Sequence, residues 1–163
     1  MLHFAYIGLG TNLCSSQNND RQQQLSQNLE TALRALQEQT GTLLKCSSFL
    51  KTEPWGFKSD NTFLNAVALF ETALTPTQLL RTTQQIELQM GRTTKSRNHQ
   101  YHDRIIDIDI LFYDDICLQT PELTLPHAEI EQRDFVLKPL AEIAPDYIHP
   151  TLHKTISRLL QEL

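Results

Sequence analysis

The sequence predicts an α+β domain whose elements follow the order β-α-β-β-α-β, one sheet with helices on both faces. Three observations predict it. Two segments carry apolar residues at helical spacing, and runs rich in β-branched and aromatic residues flank each of them. The run TFLNAVALFET is apolar on both faces, which suits a strand covered from both sides. The chain has 163 residues, 40% of them hydrophobic, enough for a single domain over 1–163 with a sizeable core.

The elements follow in order. MLHFAYIGLGTN opens on a first strand that ends in a turn at Gly10 to Asn12, and it lacks the basic flank of a signal peptide. After a polar stretch, Leu25, Leu29, Ala32, Leu33 and Leu36 mark an amphipathic helix, which Gly41 closes. TLLKCSSFLKTE alternates as a second strand until Pro54 and Gly56 break it, and TFLNAVALFET is the third. TPTQ is a helix start: Thr75 suits the N-cap, Pro76 the first helical position, and Gln78 completes a capping box. That helix runs to Met90, with Gly91 at C′. A basic loop leads into DRIIDIDILFYDD, the fourth strand. ICLQ reads as a further edge strand, AEIEQRDFVLKPLAEIA as a helix interrupted at Pro139, and KTISRLLQEL as a final short helix. The order is that of a ferredoxin-like core, here a three-layer α/β/α arrangement. Fold alone does not settle function.

Composition narrows the classes. The formal charge of −5 argues against a nucleic-acid binder, which shows a basic footprint. No run approaches the roughly 18 apolar residues of a membrane span. The three cysteines, Cys14, Cys46 and Cys117, are odd in number and widely spaced, which points to a reducing cytoplasm. One segment, GRTTKSRNHQYHDR, sets Arg92, Lys95, Arg97 and Arg104 against the single acid Asp103. A basic island in an acidic chain suits a local anion such as phosphate, or else a solvated loop.

The fourth strand poses the chemical question. On alternation, one face carries Ile106, Ile108, Ile110 and Phe112, and the other begins with Asp107 and Asp109. Carboxylates at i and i+2 sit roughly 6–7 Å apart on one face. Ionised, they repel by roughly 3 kcal/mol at an effective dielectric of about 20. Mg²⁺ offsets such a cost, since it takes carboxylate oxygens and completes its shell with water and phosphate. A water-facing strand with ordinary acids is the plain alternative. Asn65 lies among Phe63, Val67 and Leu69 on one strand face, where its amide needs a partner: a local network or a flat heterocycle. His127 follows a proline turn, with Arg133 and Phe135 nearby. His149 and His153 in HPTLH lack the further ligands of a zinc site and read as structural. There is no P-loop and no G-x-S-x-G.

AYIGLGTNL, SSFLKTEPWG, FLNAVALFET, QQIELQMGR, DRIIDIDILFYDD, LTLPH and RDFVLKPLAEIAP, in this order, make the chain resemble the 6-hydroxymethyl-7,8-dihydropterin pyrophosphokinase family of folate biosynthesis over nearly its full length. The resemblance implies transfer of the β,γ-diphosphate of ATP to the pterin hydroxymethyl group, release of AMP, and two Mg²⁺ ions. It makes Asp107 and Asp109 the carboxylates that hold both ions. It makes Asn65 the amide that reads the pterin, Phe63 and Phe135 the walls of its slot, and Thr52, Pro54 and Trp55 the loop lining it. Gln84 and Glu87 match helix positions facing the nucleotide. Ile110, Thr124, His127 and Arg133 match the ATP side, and Arg92 and Arg104 flank the catalytic loop. Three departures stand out. The chain reads YHDR where many members carry an aromatic and G-P-R, so Tyr101 takes the aromatic's place. The loop is longer, with Arg97, or else Lys95, for its middle arginine. Glu122 stands where many members have arginine. The resemblance implies ATP and the pterin as partners, and the expected state is a monomer. The competing readings are a silent pterin- or nucleotide-binding module, a Mg²⁺-dependent phosphohydrolase, and an interaction protein with an acidic strand.

Overall fold

The computed structural model describes residues 1–12, 21–52, 62–91 and 105–163. Pro54, Trp55, Arg92, Lys95, Arg97, Tyr101 and Arg104 lie outside the described residues. The elements are β1 (His3–Thr11), α1 (Arg21–Gln39), β2 (Gly41–Cys46), β3 (Leu50–Thr52), β4 (Phe63–Thr72), α2 (Pro76–Gln89), β5 (Asp107–Tyr113), β6 (Leu118–Gln119), β7 (Thr124–Leu125), α3 (Asp134–Ile143) and α4 (Ile156–Gln161). The main sheet runs β2-β4-β1-β5, with β3 also on β4, and its pairs are antiparallel. With β2, β4, β1 and β5 as the second, third, first and fourth core strands, this is the ferredoxin-like order.

Each face of the sheet has its own core. Ile7, Leu9, Ala66, Phe70, Ile106, Ile108 and Ile110 pack under Leu25, Leu29, Leu36, Leu79 and Ile86 of α1 and α2. All five apolar residues that mark α1 in the sequence are buried. On the other face Val67, Leu111 and Phe112 meet Val136, Leu137 and Leu140 of α3 and Ile156 and Leu159 of α4. These helices cover only part of that face. Among the described residues, the rest, near the end of β1 and the start of β5, is open.

Local chemistry explains most boundaries. The α2 capping box is complete: Gln78 N–H donates to Thr75 Oγ1 at 3.2 Å, and Thr75 N–H donates to Gln78 Oε1 at 2.9 Å. Gly91 takes φ +98° past the helix end, where a side chain would be strained. Thr155 caps α4 through Arg158 N–H.

Five expectations need correction. There is no turn at Gly10, because β1 continues to Thr11 and Gly10 pairs with Asn65 and Asp107. The second strand is two, β2 and β3. Between them, Ser47 N–H donates to Val67 O, and Val67 N–H donates to Ser47 Oγ, both at 2.9 Å, so a side chain stands in for the ladder. Phe112 is not on the isoleucine face. Ile7 pairs with Ile110 and Tyr6 with Phe112, so Leu111 is an extra residue, and this β-bulge turns Phe112 toward α3 and α4. ICLQ does not extend the main sheet; β6 pairs only with β7. The helix break falls at Arg133 (φ −116°, ψ 100°), between a 3₁₀ turn at Ile130–Gln132 and α3, while Pro139 sits buried inside α3. Gly41 is also the first residue of β2, where an added Cβ would clash with the Glu71 carbonyl.

His149 is structural. Its Nδ1 accepts from Thr151 N–H at 3.2 Å and Leu152 N–H at 3.1 Å. Burial lowers its pKa from 6.5, Glu131 opposes that shift, and His153 adds to it. The unfolded chain therefore takes up this proton first as pH falls. His149 contributes stability that is complete above pH 6.5 and lost below it. Urea melts across pH should show this slope in the wild type and a flatter one in His149→Gln. Thermal melts should show Thr75→Ala destabilised by about 1 kcal/mol. Gly41→Ala, which forces backbone to move, should lose about 1–3 kcal/mol.

Candidate active site

The open part of the second face is a cleft between the sheet and the start of α3. Its floor is the sheet. Gly10 stands in register between Asn65 on β4 and Asp107 on β5, and Gly8 between Val67 and Asp109. Neither glycine projects a side chain, so the middle strand is bare. A Cβ on Gly10 would lie 3.0 Å from Asn65 Oδ1, and one on Gly8 would lie 3.4 Å from the Leu111 side chain. These two glycines were missed as site residues. The signal was their spacing at i and i+2 inside a strand, a mark of close backbone approach.

Thr52, Phe63, Asn65, Asp107, Asp109, Arg133 and Phe135 all line this cleft. Asn65 is buried, and its Nδ2 donates to Thr52 Oγ1 at 2.7 Å. That bond turns the amide so that Oδ1 lies over Gly10, presenting an acceptor to the floor. Strand alternation puts Asp107 and Asp109 on the cleft side while Ile106, Ile108 and Ile110 fill the core behind them.

The far wall is the start of α3. Arg133 is buried, its Nη2 donates to Glu129 Oε2 at 3.2 Å, and its guanidinium lies 5.8 Å from the Phe135 ring centroid. Burial pushes its pKa down to about 10, so it remains a cation at neutral pH. A buried cation on a cleft wall suits an anionic ligand. His127 is brought in by the bulge, since its N–H donates to the Leu111 carbonyl at 2.9 Å. Its Nδ1 faces Ala128 O at 2.7 Å and so donates there, which leaves Nε2 directed at Asp109 Oδ1, 3.8 Å away.

Five residues expected at the site do not line the cleft, and His127, beside Asp109, is one of them. Gln84 is exposed on α2, and Thr124 is exposed on β7. Ile110 has its side chain in the core, so only its backbone could meet a ligand. Glu87 is buried under β5, where Oε2 accepts from Ile108 N–H at 2.8 Å. Glu122 is exposed in the turn between β6 and β7.

Among the described residues, no group of three or more His, Cys, Asp or Glu side chains gathers as a metal cage. Two carboxylates facing an open cleft fit Mg²⁺ well, because that ion keeps several ligand positions for water and substrate phosphate. No described helix is long and apolar enough to cross a membrane.

Comparison with known proteins gives the family. A model of the 7,8-dihydro-6-hydroxymethylpterin-pyrophosphokinase family matches residues 6–145. The 2-amino-4-hydroxy-6-hydroxymethyldihydropteridine pyrophosphokinase of Porphyromonas gingivalis is 48% identical over 146 residues, 89% of this chain and 92% of that protein. The Haemophilus influenzae protein of the same name is 38% identical over 160 residues, 98% of this chain and 89% of the relative. Among solved structures, wild-type HPPK-DHPS of Plasmodium falciparum with pteroate superposes with a TM-score of 0.77 at 19% identity, a likeness of fold. It covers 99% of this chain, which spans only 42% of that longer one. The chain belongs to the 7,8-dihydro-6-hydroxymethylpterin-pyrophosphokinase family.

Proposed function

We propose that this chain transfers the β,γ-diphosphate of ATP to the hydroxymethyl oxygen of 6-hydroxymethyl-7,8-dihydropterin in folate biosynthesis. The observation that carries the residue assignment is the bare Gly8–Gly10 floor, with the Asn65 amide on one side and Asp107 and Asp109 on the other. A flat ring lies on the glycine side, and a charged phosphate chain on the aspartate side.

Each group then has a task. Asn65 Oδ1 accepts from a ring N–H of the pterin, while Thr52 holds the amide in that orientation. Phe63 and Phe135 enclose the ring. Asp107 and Asp109 would hold the Mg²⁺, two ions in this reading, which would supply neutralisation of the phosphate charge. Arg133 and His127 Nε2 face the phosphates from the α3 side. The pterin hydroxyl oxygen attacks the β-phosphorus, and the bond from that phosphorus to the α-β bridging oxygen breaks. AMP leaves with that oxygen, and the hydroxyl proton passes to solvent. No protein nucleophile is required, because positioning and charge neutralisation supply most of the catalysis in phosphoryl-type transfer. The proposed setting is a cytoplasmic monomer. Cys46 and Cys117 are both free thiols, which suits a reducing compartment.

Nucleotide product analysis tests the reaction. AMP formed only when ATP, Mg²⁺ and pterin are all present is the expected result. ADP and phosphate formed without pterin would make the protein a hydrolase. Asp107→Asn and Asp109→Asn should each lower turnover by about a hundredfold or more, equivalent to roughly 3 kcal/mol of transition-state stabilisation. Gly10→Ala should displace the Asn65 amide and weaken pterin binding by about tenfold in a fluorescence titration, a cost within the 1–3 kcal/mol of overpacking.

A further inference from the structure

We propose that Glu87 is a positioning residue that holds the strand between the two site aspartates through the Ile108 amide. The inference rests on the assignment of Asp107 and Asp109 above, and it concerns a group that does not line the cleft.

The argument starts from hydrogen-bond direction. In an antiparallel strand, the N–H and C=O of one residue point to the same edge, and those of its neighbours point to the other. β5 is an edge strand, paired with β1 along one side. Ile108 N–H donates to Glu87 Oε2 at 2.8 Å, so it points away from β1. By alternation, the main-chain groups of Asp107 and Asp109 point toward β1. The ladder therefore fixes the backbone at both carboxylate-bearing residues. The residue between them is fixed from outside the sheet, by a side chain on α2.

Burial makes that contact consequential. Glu87 is 3% exposed and Ile108 1% exposed. Withdrawal of the acceptor would leave a buried edge amide to find another partner, at a cost comparable to a lost hydrogen bond. The strand could meet that cost by twisting outward. Such a twist at Ile108 rotates Asp107 and Asp109 relative to each other, because both are one peptide away. A pair of carboxylates that must share divalent ions tolerates little change in spacing. Supporting groups of this kind carry about 10–100-fold in metal affinity or activity. Glu87 reaches Ile108 from the α1–α2 layer, whereas the aspartates project from the opposite face. It acts through the backbone and is not among the residues that line the cleft.

Two substitutions separate reach from charge. Glu87→Gln keeps an acceptor oxygen at the same length and removes the charge. Glu87→Asp keeps the charge and withdraws the oxygen by one methylene. The readouts are hydrogen exchange of the Ile108 amide by NMR, and the Mg²⁺ dependence of kcat and of KM for ATP. Glu87→Asp is expected to speed Ile108 exchange, raise the Mg²⁺ half-saturation about tenfold and lower kcat. It should leave KM for ATP at saturating Mg²⁺ within about twofold, and Glu87→Gln should behave as wild type in each readout. Any other pattern overturns the proposal. A KM effect alone would make Glu87 a nucleotide contact, and a deficit in Glu87→Gln but not Glu87→Asp would make its charge the active element. The exchange measurement needs no turnover. A wild type that makes no AMP would sink the functional reading and leave the Ile108 arm standing.

Discussion

The site depends on β1 being paired along both edges. Its antiparallel partners β4 and β5 supply the Asn65 amide and the two carboxylates, and the register with β1 fixes both relative to Gly8 and Gly10. Strands lie roughly 4.8 Å apart. Asn65 and Asp107 are therefore held about 10 Å from each other across one bare strand, on the scale of a flat bicyclic ring. A slip of one residue in either ladder would turn the amide or the aspartates into the core. The buried isoleucines, alanines and Phe70 on the opposite face resist that slip, so the hydrophobic core under α1 and α2 indirectly sets the geometry of the cleft.

The second constraint is that α3 and α4 cover only part of their face. The covered part is apolar, from Val67 through Leu111 and Phe112 to the helices. The uncovered part keeps the polar groups. Arg133 stands at the boundary, as the extended residue just before α3. The backbone break that starts the helix also places Arg133 on the cleft wall.

Much of this was legible in the sequence, and the failures share a cause. The diacid strand could be read because a period of two places side chains without knowledge of the partner strand. The α2 ends could be read because capping is local: Thr75, Pro76, Gln78 and Gly91 each act within a few residues of their own position. What could not be read depended on distant chain. Gly10 looks like a turn until β4 and β5 flank it. Leu111 is an ordinary leucine by composition, and only the β1 register shows that it is supernumerary. Ser47 looks like a break until Val67 claims its hydroxyl. Pro139 looks like a helix stop, yet it lies on the buried side of α3, where packing outweighs one missing amide hydrogen bond. Glu87 matched a ligand-facing position by resemblance, and in the structure it accepts from a backbone amide twenty-one residues away.

The Leu111 bulge gives β5 two reading phases. Before it, odd-numbered residues face the cleft and even-numbered ones the α1–α2 core; after it, Phe112 faces α3 and Tyr113 joins the α1–α2 core. One strand thereby answers to two selective demands that would conflict in a regular strand. The cleft-lining carboxylates set parity at its start, and packing sets parity at its end. Sequence variation tolerated along β5 should invert its odd-even rhythm at a single residue, and loss of that residue would turn Phe112 and Tyr113 to opposite faces while leaving both side chains unchanged.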